Sequence, residues 1–515
     1  MPQNCNSDYD VIIIGGSLSG AATAILLLRA NPGARVLIVE KSAHFSRRVG
    51  EATVEVSAFF LGRVLGMTQY LNESQLPKQG LRFWFANSEV TSLEEASELG
   101  GRYQVRLPSY QLDRATFDEE VLRRACAAGA ELLRETTVTN VELSSAGEQR
   151  VTIKDSDNSR TLGARWVVDA SGVSALLARK HGWWLPNTEH PTAAAWARWK
   201  GVKDWDSYEL AEKYPEWGSA VFGLRGSATN HVVGDGWWSW LISLKGGDVS
   251  VGLVFDQRLV DWSKDETHLG DRLKDFLMQH PVAREMLENA RFDSGDVHWR
   301  RNLAYSSKTY AGDGFVLVGD ACGFLDPLYS PGMDWISFTT TNAAALITAQ
   351  MQNKPIEAMV RRHNAKFAES YSRWFGAIYQ NKYDYIGEFD LMSLALTLDL
   401  GFYYLGIASQ PYRAGAKALL IPPFSEVFAR PFYYFIRSYN RRFAQIARRR
   451  RRLGLLGKSN RGRRRLIPGY SLRRTDVSLI LGATIRWLWL ELTEGWRSWG
   501  GIGSTHPEKL ETVRG

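Results

Sequence analysis

The fold is decided near the start of the chain by one stretch, Val11-Ile12-Ile13-Ile14-Gly15-Gly16-Ser17-Leu18-Ser19-Gly20. Its first four residues form a β-branched, wholly apolar run that is typical of a central parallel strand, and an Ala- and Leu-rich segment through about Arg29 predicts a helix. A glycine turn between such a strand and a helix N-terminus offers backbone N–H groups to a diphosphate. Serine replaces the middle glycine of G-x-G-x-x-G, so the motif alone also fits an ordinary strand-to-helix turn.

The next predicted strand, Val36-Leu37-Ile38-Val39, strengthens the case for a Rossmann-like unit. It ends at Glu40, about 20 residues past the glycine turn, where an acid binds ribose hydroxyls in dinucleotide-binding folds. A solvent-exposed strand end is the alternative interpretation of Glu40. The predicted cofactor-binding residues of this segment are Gly15, Gly16, Ser17, Ser19, Gly20, Glu40 and Lys41.

Further strands of the same sheet are predicted from distant parts of the chain. Trp166-Val167-Val168-Asp169 and Phe315-Val316-Leu317-Val318 are apolar runs that each end at a small-residue turn. Between them, at about 191–300, tryptophan is frequent and alternating patterns indicate a mainly antiparallel sheet. From about Thr339 onward the pattern is helical.

Three motifs resemble those of the FAD-dependent monooxygenase superfamily and occur in the same order. They are Asp113-Arg114-x-x-Phe117-Asp118, Asp169-Ala170-Ser171-Gly172 and Gly319-Asp320-Ala321. The resemblance implies FAD rather than NAD as the cofactor. It also implies that Arg114 lies near the FAD, that Asp169 belongs to the cofactor site, and that Gly319 and Asp320 close over the ribityl and pyrophosphate groups.

A second pair of motifs resembles the flavin-dependent halogenases, and the tryptophan halogenases among them. These motifs are Gly50-Glu51-Ala52-Thr53 and Leu76-Pro77-Lys78-Gln79-Gly80. The resemblance implies that Glu51, Ala52 and Thr53 bind the cofactor, and that Lys78 is catalytic by carrying or orienting hypohalous acid. Desolvation would lower the pKa of such a lysine and favour its amine form. The alternative for Lys78 is a surface lysine beside a strand.

Two more stretches resemble halogenase signatures, each with a departure. Trp238-Ser239-Trp240-Leu241-Ile242 resembles W-x-W-x-I-P, with Ser243 in place of proline. Phe324-Leu325-Asp326-Pro327-Leu328-Tyr329-Ser330-Pro331-Gly332 resembles F-x-x-P-x-x-S-x-G, but Pro331 has no N–H to offer a halide. The residues implied at the substrate or halide are Trp238, Trp240, Ser330 and Gly332, and Gly332 is also implied at the cofactor.

The substrate that these motifs imply is an electron-rich aromatic or carrier-bound compound. Tryptophan-specific halogenases place a glutamate where this chain has Tyr329, which argues against free tryptophan. Because of the departures at Ser243 and Pro331, a hydroxylating flavin monooxygenase and a flavin dehydrogenase, either acting on a lipophilic substrate, stay open as alternatives. A third alternative is a binding protein that keeps the fold and uses its basic tail as a surface anchor, which an absence of FAD binding would favour.

The predicted architecture is an α/β fold with a Rossmann-like FAD-binding domain, an inserted β-rich substrate domain and a helical C-terminal extension. The FAD-binding domain comprises 8–185, with a short β insertion, and 306–350. The substrate domain is 186–305, and the helical region is 351–515. No second glycine-rich unit for NAD(P)H is evident, so we expect a separate flavin reductase to supply reduced FAD.

Cysteine content predicts a protein of a reducing compartment. The three cysteines, Cys5, Cys126 and Cys322, are far apart, which favours neither a disulfide framework nor a metal site. The first nine residues resemble no signal peptide. We therefore expect a cytoplasmic enzyme that uses no metal, and the halogenase resemblance implies a role in secondary metabolism.

Positive charge is concentrated near the C-terminus. Residues 437–474 contain 15 Lys or Arg and no Asp or Glu, whereas the whole chain has a formal net charge of +8, so the remainder is acidic. The run Arg448-Arg449-Arg450-Arg451-Arg452 lies between aromatic segments. Three interpretations stay open: a solvated arm, peripheral docking at the inner face of an anionic membrane, and binding to an acidic macromolecule, for which nucleic acid is not expected.

Overall fold

The computed structural model describes residues 7–145, 147–221, 223–262, 267–470, 472 and 476–499. Two large sheets organise this part of the chain. The strands in chain order are β1 (Tyr9–Ile14), β2 (Val36–Val39), β3 (Leu76–Pro77), β4 (Leu81–Phe85), β5 (Ser97–Gly101), β6 (Tyr110–Gln111), β7 (Glu131–Leu133), β8 (Thr137–Glu142), β9 (Gln149–Lys154), β10 (Ser159–Asp169), β11 (Trp184–Pro186), β12 (Thr192–Lys200), β13 (Thr229–Gly234), β14 (Trp237–Ser243), β15 (Val249–Asp256), β16 (Arg291–Arg301), β17 (Tyr305–Ser307), β18 (Ala311–Gly312), β19 (Phe315–Leu317) and β20 (Arg464–Ile467).

The first sheet has the order β18-β19-β10-β1-β2-β7, and β8 and β9 extend it beside β10. Strands β19, β10, β1, β2 and β7 run parallel. Ile14 pairs with Asp169, and Asp169 pairs with Leu317, so three strands end in line. The loops that follow them therefore meet at the carboxyl edge of the sheet, where open α/β sheets bind ligands.

The second sheet has the order β16-β12-β15-β14-β13-β4-β5-β20 and is mostly antiparallel. Two of its pairings are parallel: β4 with β13, and β5 with β20. Thus strands from the first hundred residues and from the C-terminal region complete a sheet whose centre lies in the predicted substrate domain. The sequence boundaries 186–305 contain five consecutive strands of this sheet, from the edge strand β16 to β13, and leave out β4, β5 and β20.

Helices cover the first sheet and form the C-terminal part. They are α1 (Leu18–Ala30), α2 (Glu55–Phe59), α3 (Thr68–Ser74), α4 (Arg114–Ala127), α5 (Leu176–Lys180), α6 (Tyr208–Lys213), α7 (Pro215–Ala220), α8 (Leu269–Met278), α9 (Pro281–Leu287), α10 (Gly332–Met351), α11 (Glu357–Trp374), α12 (Phe389–Phe402), α13 (Ser409–Ala414), α14 (Arg430–Arg452) and α15 (Asp476–Thr493). The π-helical segments Phe60–Val64, Phe375–Tyr379 and Tyr403–Ala408 continue α2, α11 and α12. These features confirm the predicted α/β fold.

One helical stretch of the described residues, Phe389–Ala414, has the length and mean hydropathy of a membrane span. Two thirds of its most apolar window is buried inside the protein, as in the core helix of a soluble domain. Length and composition alone are therefore weak evidence for a span.

The arginine run lies in the last turns of α14, where much of its charge is paired. Arg448 forms two hydrogen bonds with Asp384, and Arg451 forms an ion pair with Asp235. Arg450 contacts both Glu388 and Glu494. The arginine run is thus part of a folded helix rather than of a solvated arm, because acidic side chains from three other segments pair with Arg448, Arg450 and Arg451.

We expect Arg450→Ala to lower the free energy of unfolding by about 3 kcal/mol, since it leaves a buried carboxylate without its cation. Glu388 is 1% exposed, and its other described hydrogen bond comes from the Gly457 N–H. Urea unfolding would measure the change. Arg452→Ala is the matched control, since Arg452 is exposed on the same helix, and equal loss in both variants would contradict the prediction.

Candidate active site

The glycine turn between β1 and α1 is held by close backbone contacts that only glycine permits. Gly15 has φ +98°, and a methyl group there would lie 2.6 Å from the carbonyl oxygen of Ala170. A methyl group at Gly20 would lie 1.9 Å from the carbonyl oxygen of Gly15. The first turn of α1 therefore lies against the end of β1, as a diphosphate-binding turn requires.

Glu40 connects the second strand to this turn. Its carboxylate accepts hydrogen bonds from the Gly16 N–H (2.8 Å) and from the Ser42 N–H (2.9 Å). The side chain of Ser17, the residue before α1, makes no capping hydrogen bond, so its hydroxyl is available to a ligand. Lys41 is exposed beside Glu40. The structure thus brings the predicted nucleotide-binding residues of this segment together.

The loops after β10 and β19 close the same edge. Asp169 is buried and accepts hydrogen bonds from the N–H groups of Ser171 (3.0 Å) and Leu177 (2.7 Å), so it orders the loop beside Gly15. Gly319 has φ +59°, and a methyl group there would lie 2.3 Å from the Ser19 hydroxyl oxygen. Asp169 therefore acts on the site through the backbone, whereas Gly319 packs directly against α1.

Asp320 follows Gly319 in a short turn. Burial raises the pKa of its carboxyl group, and the positive charges of Arg300 and Arg114 oppose that shift. Arg114 itself binds Asp118 through two nitrogens and donates to the carbonyls of Val49 and Gly50. The predicted arginine therefore fixes the backbone that leads into the Glu51 segment.

The segment Glu51-Ala52-Thr53 is buried between the two sheets. Arg198 donates a 2.8 Å hydrogen bond to Glu51, while burial raises the pKa of Glu51 to about 7. Thr53 exchanges hydrogen bonds with the backbone of Tyr110. These contacts hold the segment rigidly at the inner end of a large cavity.

The cavity has a volume of about 810 Å³ and is lined on one side by the segments around Thr53 and Lys78 and on the other by the C-terminal helices. Apolar and aromatic side chains from α10, α11, α12, α14, the π-helical segments that follow α11 and α12, and the segment after β20 contribute to its wall. Representative ones are Phe338, Trp374, Phe402, Tyr403, Ile436 and Tyr470. Its size and lining are those of a small-molecule binding site.

Lys78 is the cationic side chain at the inner end of this cavity. It is 2% exposed, and its ammonium group donates a 2.9 Å hydrogen bond to the carbonyl oxygen of Thr53. Burial lowers the pKa of Lys78 to about 8, and the carboxylates of Glu55 and Asp334 oppose this shift. The alternative of a surface lysine is therefore excluded by its position.

Two buried carboxyl groups share the cavity wall with Lys78. Asp334 accepts hydrogen bonds from the Ser57 N–H (2.8 Å) and the Tyr403 hydroxyl (3.0 Å), and burial raises its pKa to about 7. Glu55 accepts a short hydrogen bond from the Tyr404 hydroxyl, and burial raises its pKa as well. Both tyrosines belong to the π-helical segment Tyr403–Ala408, and such segments often occur at functional sites.

A third acid, Asp399, is neutralised at another part of the wall. Lys382 donates to it at 2.6 Å and the Tyr439 hydroxyl at 2.6 Å, and the Tyr329 hydroxyl completes the group at 3.2 Å. Because Asp399 already has a buried cation, it differs from Asp334 and Glu55, which approach only Lys78. The carboxyl groups available for proton transfer are therefore those of Asp334 and Glu55.

The predicted tryptophans do not reach the cavity wall. Trp238 and Trp240 are buried in β14, and their indole N–H groups donate to the Tyr383 hydroxyl (3.0 Å) and the Ser250 hydroxyl (3.1 Å). Trp238 contacts His231, which contacts Phe83, so aromatic rings separate it from the site. The tryptophans pack within the second sheet, and their implied role near the substrate stays a prediction.

The segment before α10 has an unusual backbone. Tyr329 and Ser330 both have positive φ, +67° and +57°, and Pro331 follows in helical conformation. The Tyr329 and Pro331 side chains line the cavity, while Ser330 lies half-buried behind them. Gly332 begins α10, and a methyl group on it would meet no atom within 4 Å. Open space next to a helix N-terminus suits the approach of a flavin ring or an anion.

Sequence reasoning missed Glu55, Asp334, Tyr403 and Tyr404. A usable signal existed for the acids, because each lies in an otherwise apolar segment directly after a recognised motif. A charged residue in such a position is buried only when it has a partner or a function. The tyrosines carry no such signal, since they come from a helix more than 300 residues away from Glu55.

Taken together, a Rossmann-like nucleotide edge and an enclosed cavity with a buried lysine define an FAD-dependent oxidoreductase. The sequence profile described as Tryptophan halogenase matches residues 10–94 and 89–381. This match covers more than half of the chain, which therefore belongs to the tryptophan halogenase family of flavin-dependent enzymes. Family membership confirms the predicted resemblance and the prediction of FAD as the cofactor.

Similar proteins support this assignment. The flavin-dependent halogenase chlA of Dictyostelium discoideum is 27% identical over 392 residues, which cover 68% of this chain and 62% of that protein. The chain thus spans somewhat less than two thirds of that relative. A 1H-pyrrole-2-carbonyl-[peptidyl-carrier protein] chlorinase of Pseudomonas fluorescens is 26% identical over 415 residues, covering 76% of this chain and 85% of that one.

Solved structures share the fold at low identity. Halogenase PltM has a TM-score of 0.72 and 20% identity, covering 93% of this chain and 96% of its own. A triple mutant of the flavin-dependent brominase Bmp2 has a TM-score of 0.61 and 21% identity, and the match covers 84% of this chain and 100% of the Bmp2 chain. The similarity to PltM extends over nearly the whole chain, so it includes the helical C-terminal region.

Proposed function

We propose that this protein is a flavin-dependent halogenase that uses reduced FAD, oxygen and halide to halogenate an electron-rich ring. The single observation that carries the proposal is Lys78, buried in the cavity beside two carboxyl groups. Its lowered pKa makes both the ammonium and the amine accessible near neutral pH. An ammonium can hydrogen-bond an oxidant, and an amine can bind its halogen.

Reduced FAD, when bound, supplies the electrons that turn oxygen and halide into hypohalous acid. The residues proposed to hold it are those of the β1–α1 turn, Glu40, Gly319 and Asp320, with Gly332 at the ring. A dry cavity protects the oxidant from escape into solvent. Lys78 orients the hypohalous acid toward the aromatic ring of the substrate, which the apolar wall of the cavity holds.

Ring halogenation requires a group that accepts a proton. The carbon–halogen bond forms as the oxygen–halogen bond breaks, the leaving hydroxide takes a proton from the Lys78 ammonium to become water, and the ring proton goes to a base. Asp334 is our proposed base, because its pKa of about 7 lets it be ionised at neutral pH beside Lys78. Glu55 shares the cavity and is the second proposed acceptor.

The proposed substrate is a phenolic or pyrrolic ring, free or carrier-bound. Tyr329 occupies the position at which tryptophan-specific enzymes place a glutamate, and its hydroxyl is engaged with Asp399. Phenols and pyrroles are electron-rich, so their reaction with electrophilic halogen depends less on a glutamate that helps to take the ring proton. One related structure shows PltM with phloroglucinol, a phenol, and the Pseudomonas relative is named for a carrier-bound pyrrole.

The rate of halogenation should rise with pH around 7. Asp334 is protonated below its raised pKa of about 7, so the proposed base exists only above it. We expect Asp334→Asn to lower the rate by about a hundredfold and to remove this limb of the pH profile. Single-turnover product formation between pH 6 and 8 would measure both effects. An unchanged limb in the variant would assign the ionisation to another group.

The function is tested with anaerobically reduced FAD–protein mixed with oxygenated buffer, with and without bromide or chloride. A chemical trap for hypohalous acid reports oxidant formation without knowledge of the substrate, and a panel of phenols and pyrroles reports transfer. Halide-dependent trapping supports the proposal. Hydroxylated product without halide dependence would favour a monooxygenase, and flavin reoxidation with neither product would favour a dehydrogenase.

A separate flavin reductase is part of the proposal. The described strands and helices include one glycine turn of the Rossmann type, which the FAD would occupy. We therefore expect the purified protein to oxidise NADPH only when a reductase is added. A cytoplasmic location in secondary metabolism would give it such a partner, and the names of its halogenase relatives agree with that role.

A further inference from the structure

Helix α15 is apolar on two opposite faces. Its inner face packs on α12 and α14, and the Trp487 ring contacts the rings of Phe435 (5.7 Å) and Tyr439 (6.0 Å). On its outer face, exposed apolar residues recur at the three- and four-residue spacing that forms one stripe along a helix. This stripe, called the α15 face, consists of Leu481, Ile485, Leu488, Trp489 and Leu492 of α15 and of Trp496 in the short 3₁₀ turn that follows the helix.

The α15 face is strongly exposed. Ile485 is 65% exposed, Trp489 67% and Leu492 72%. Single exposed apolar residues are ordinary, but a contiguous stripe of six marks an interaction surface. The sequence beyond the described residues, 500–515, has only Ile502, Leu510 and Val513 as large apolar residues, so its composition does not suit it to cover this stripe.

Charge beside the α15 face is positive. Arg486 and Arg497 are exposed within 476–499, and Arg437 and Arg441 are exposed on α14. The acidic residues of 476–499 do not offset this exposed positive charge, since Asp476 and Glu491 are buried and Glu494 is paired with Arg450. A positively charged rim around an apolar stripe complements an anionic lipid surface rather than a second copy of the same basic face.

Aromatic contacts connect the wall of the cavity to the inner face of α15. Phe428 and Phe432 line the cavity and are more than half exposed. Phe432 contacts Phe402, Phe402 contacts Phe435, and Phe435 contacts the buried Trp487 of α15. These contacts fix the position of α15 relative to the cavity.

We propose that the α15 face docks this protein on an anionic membrane, with the helix lying in the plane of the interface. Tryptophan rings at 489 and 496 suit the headgroup region, and leucine and isoleucine side chains suit the acyl boundary. Because its inner face is packed, the helix cannot span the bilayer. This assignment moves the membrane contact from the arginine run, whose charges are largely paired, to the next helix.

The test uses the full-length protein and sedimentation with vesicles of phosphatidylcholine, alone or mixed with phosphatidylglycerol. The wild-type protein should bind the mixed vesicles more tightly than phosphatidylcholine alone. Trp489→Glu combined with Leu492→Glu should weaken that binding by about tenfold or more. The two substitutions replace apolar groups that would enter the membrane with anions. Tyr208→Glu is the matched control, since Tyr208 is 76% exposed on α6, outside the α15 face.

Circular dichroism and FAD content would show that each variant folds. Absence of wild-type binding to the mixed vesicles would overturn the proposal, as would equal binding by the double variant. Light scattering adds a third outcome: a wild-type dimer that the double variant dissociates would make the α15 face a subunit interface instead. None of these results depends on whether the enzyme uses halide, so membrane docking and halogenation can fail separately.

Discussion

Lys78→Ala should abolish transfer of halogen to the substrate while leaving FAD binding intact. We expect a decrease of at least about a hundredfold in turnover, because the variant loses both the hydrogen-bond donor and the nucleophilic amine at the inner end of the cavity. Formation of hypohalous acid should persist, since Lys78 acts after the oxidant is made. Product analysis and the oxidant trap, run on the same samples, separate the two steps.

Folding should not account for that loss. Lys78 has a pKa of about 8 because its charge is buried, so its removal relieves a desolvation penalty while the Thr53 carbonyl loses one donor. Lys200→Ala, at an exposed strand end, is the matched control and should retain full turnover. If Lys78→Ala kept more than about a tenth of the wild-type turnover, a catalytic role of this size would be refuted.

Gly20→Ala should weaken FAD binding by about a hundredfold or more. A methyl group at Gly20 would lie 1.9 Å from the Gly15 carbonyl oxygen, a backbone atom that cannot move without displacing the turn from the end of β1. Such a displacement moves the N–H groups of α1 away from the diphosphate, and these donors supply much of the binding. Fluorescence titration with FAD measures the change.

Gly482→Ala is the control for adding a methyl group to a helical glycine. A methyl group there meets no atom within 4 Å, and alanine favours the helix, so FAD binding should equal that of the wild type. Far-ultraviolet circular dichroism of the apoprotein distinguishes loss of the cofactor from loss of the fold. Wild-type affinity in Gly20→Ala would mean that the diphosphate lies elsewhere.

The first sheet could be predicted from the sequence because its signals are local. Apolar runs that end at glycine, aspartate or glutamate identified β1, β2, β10 and β19 to within a few residues at their carboxyl ends. The second sheet could be predicted only in the part formed by residues 186–305, from β16 to β13. The parallel pairings of β4 with β13 and of β5 with β20 join segments far apart in sequence, and no local pattern specifies such partners.

Residues of the candidate site could be predicted only where they lie in a motif that resembles one of a known family. Lys78 was identified through its flanking motif, and the structure places it at the cavity. Trp238 and Trp240 were expected near the substrate, but hydrogen bonds to Tyr383 and Ser250 direct their indoles into the core. Asp334 and Glu55 acquire their environment only from tertiary packing against Tyr403 and Tyr404.

Strand β20 has a consequence for how this protein is made in the cell. Residues 464–467 complete the edge of the second sheet beside β5, which ends at Gly101. A ribosome that adds about 5–20 residues per second needs roughly 20–70 s to synthesise the intervening chain. During that interval the β5 edge is an unpaired strand on a nascent polypeptide, open to pairing with other chains. Lower growth temperatures or additional chaperone should therefore raise the soluble yield of this enzyme. The gain should be larger than for the two halves of the protein expressed as separate chains.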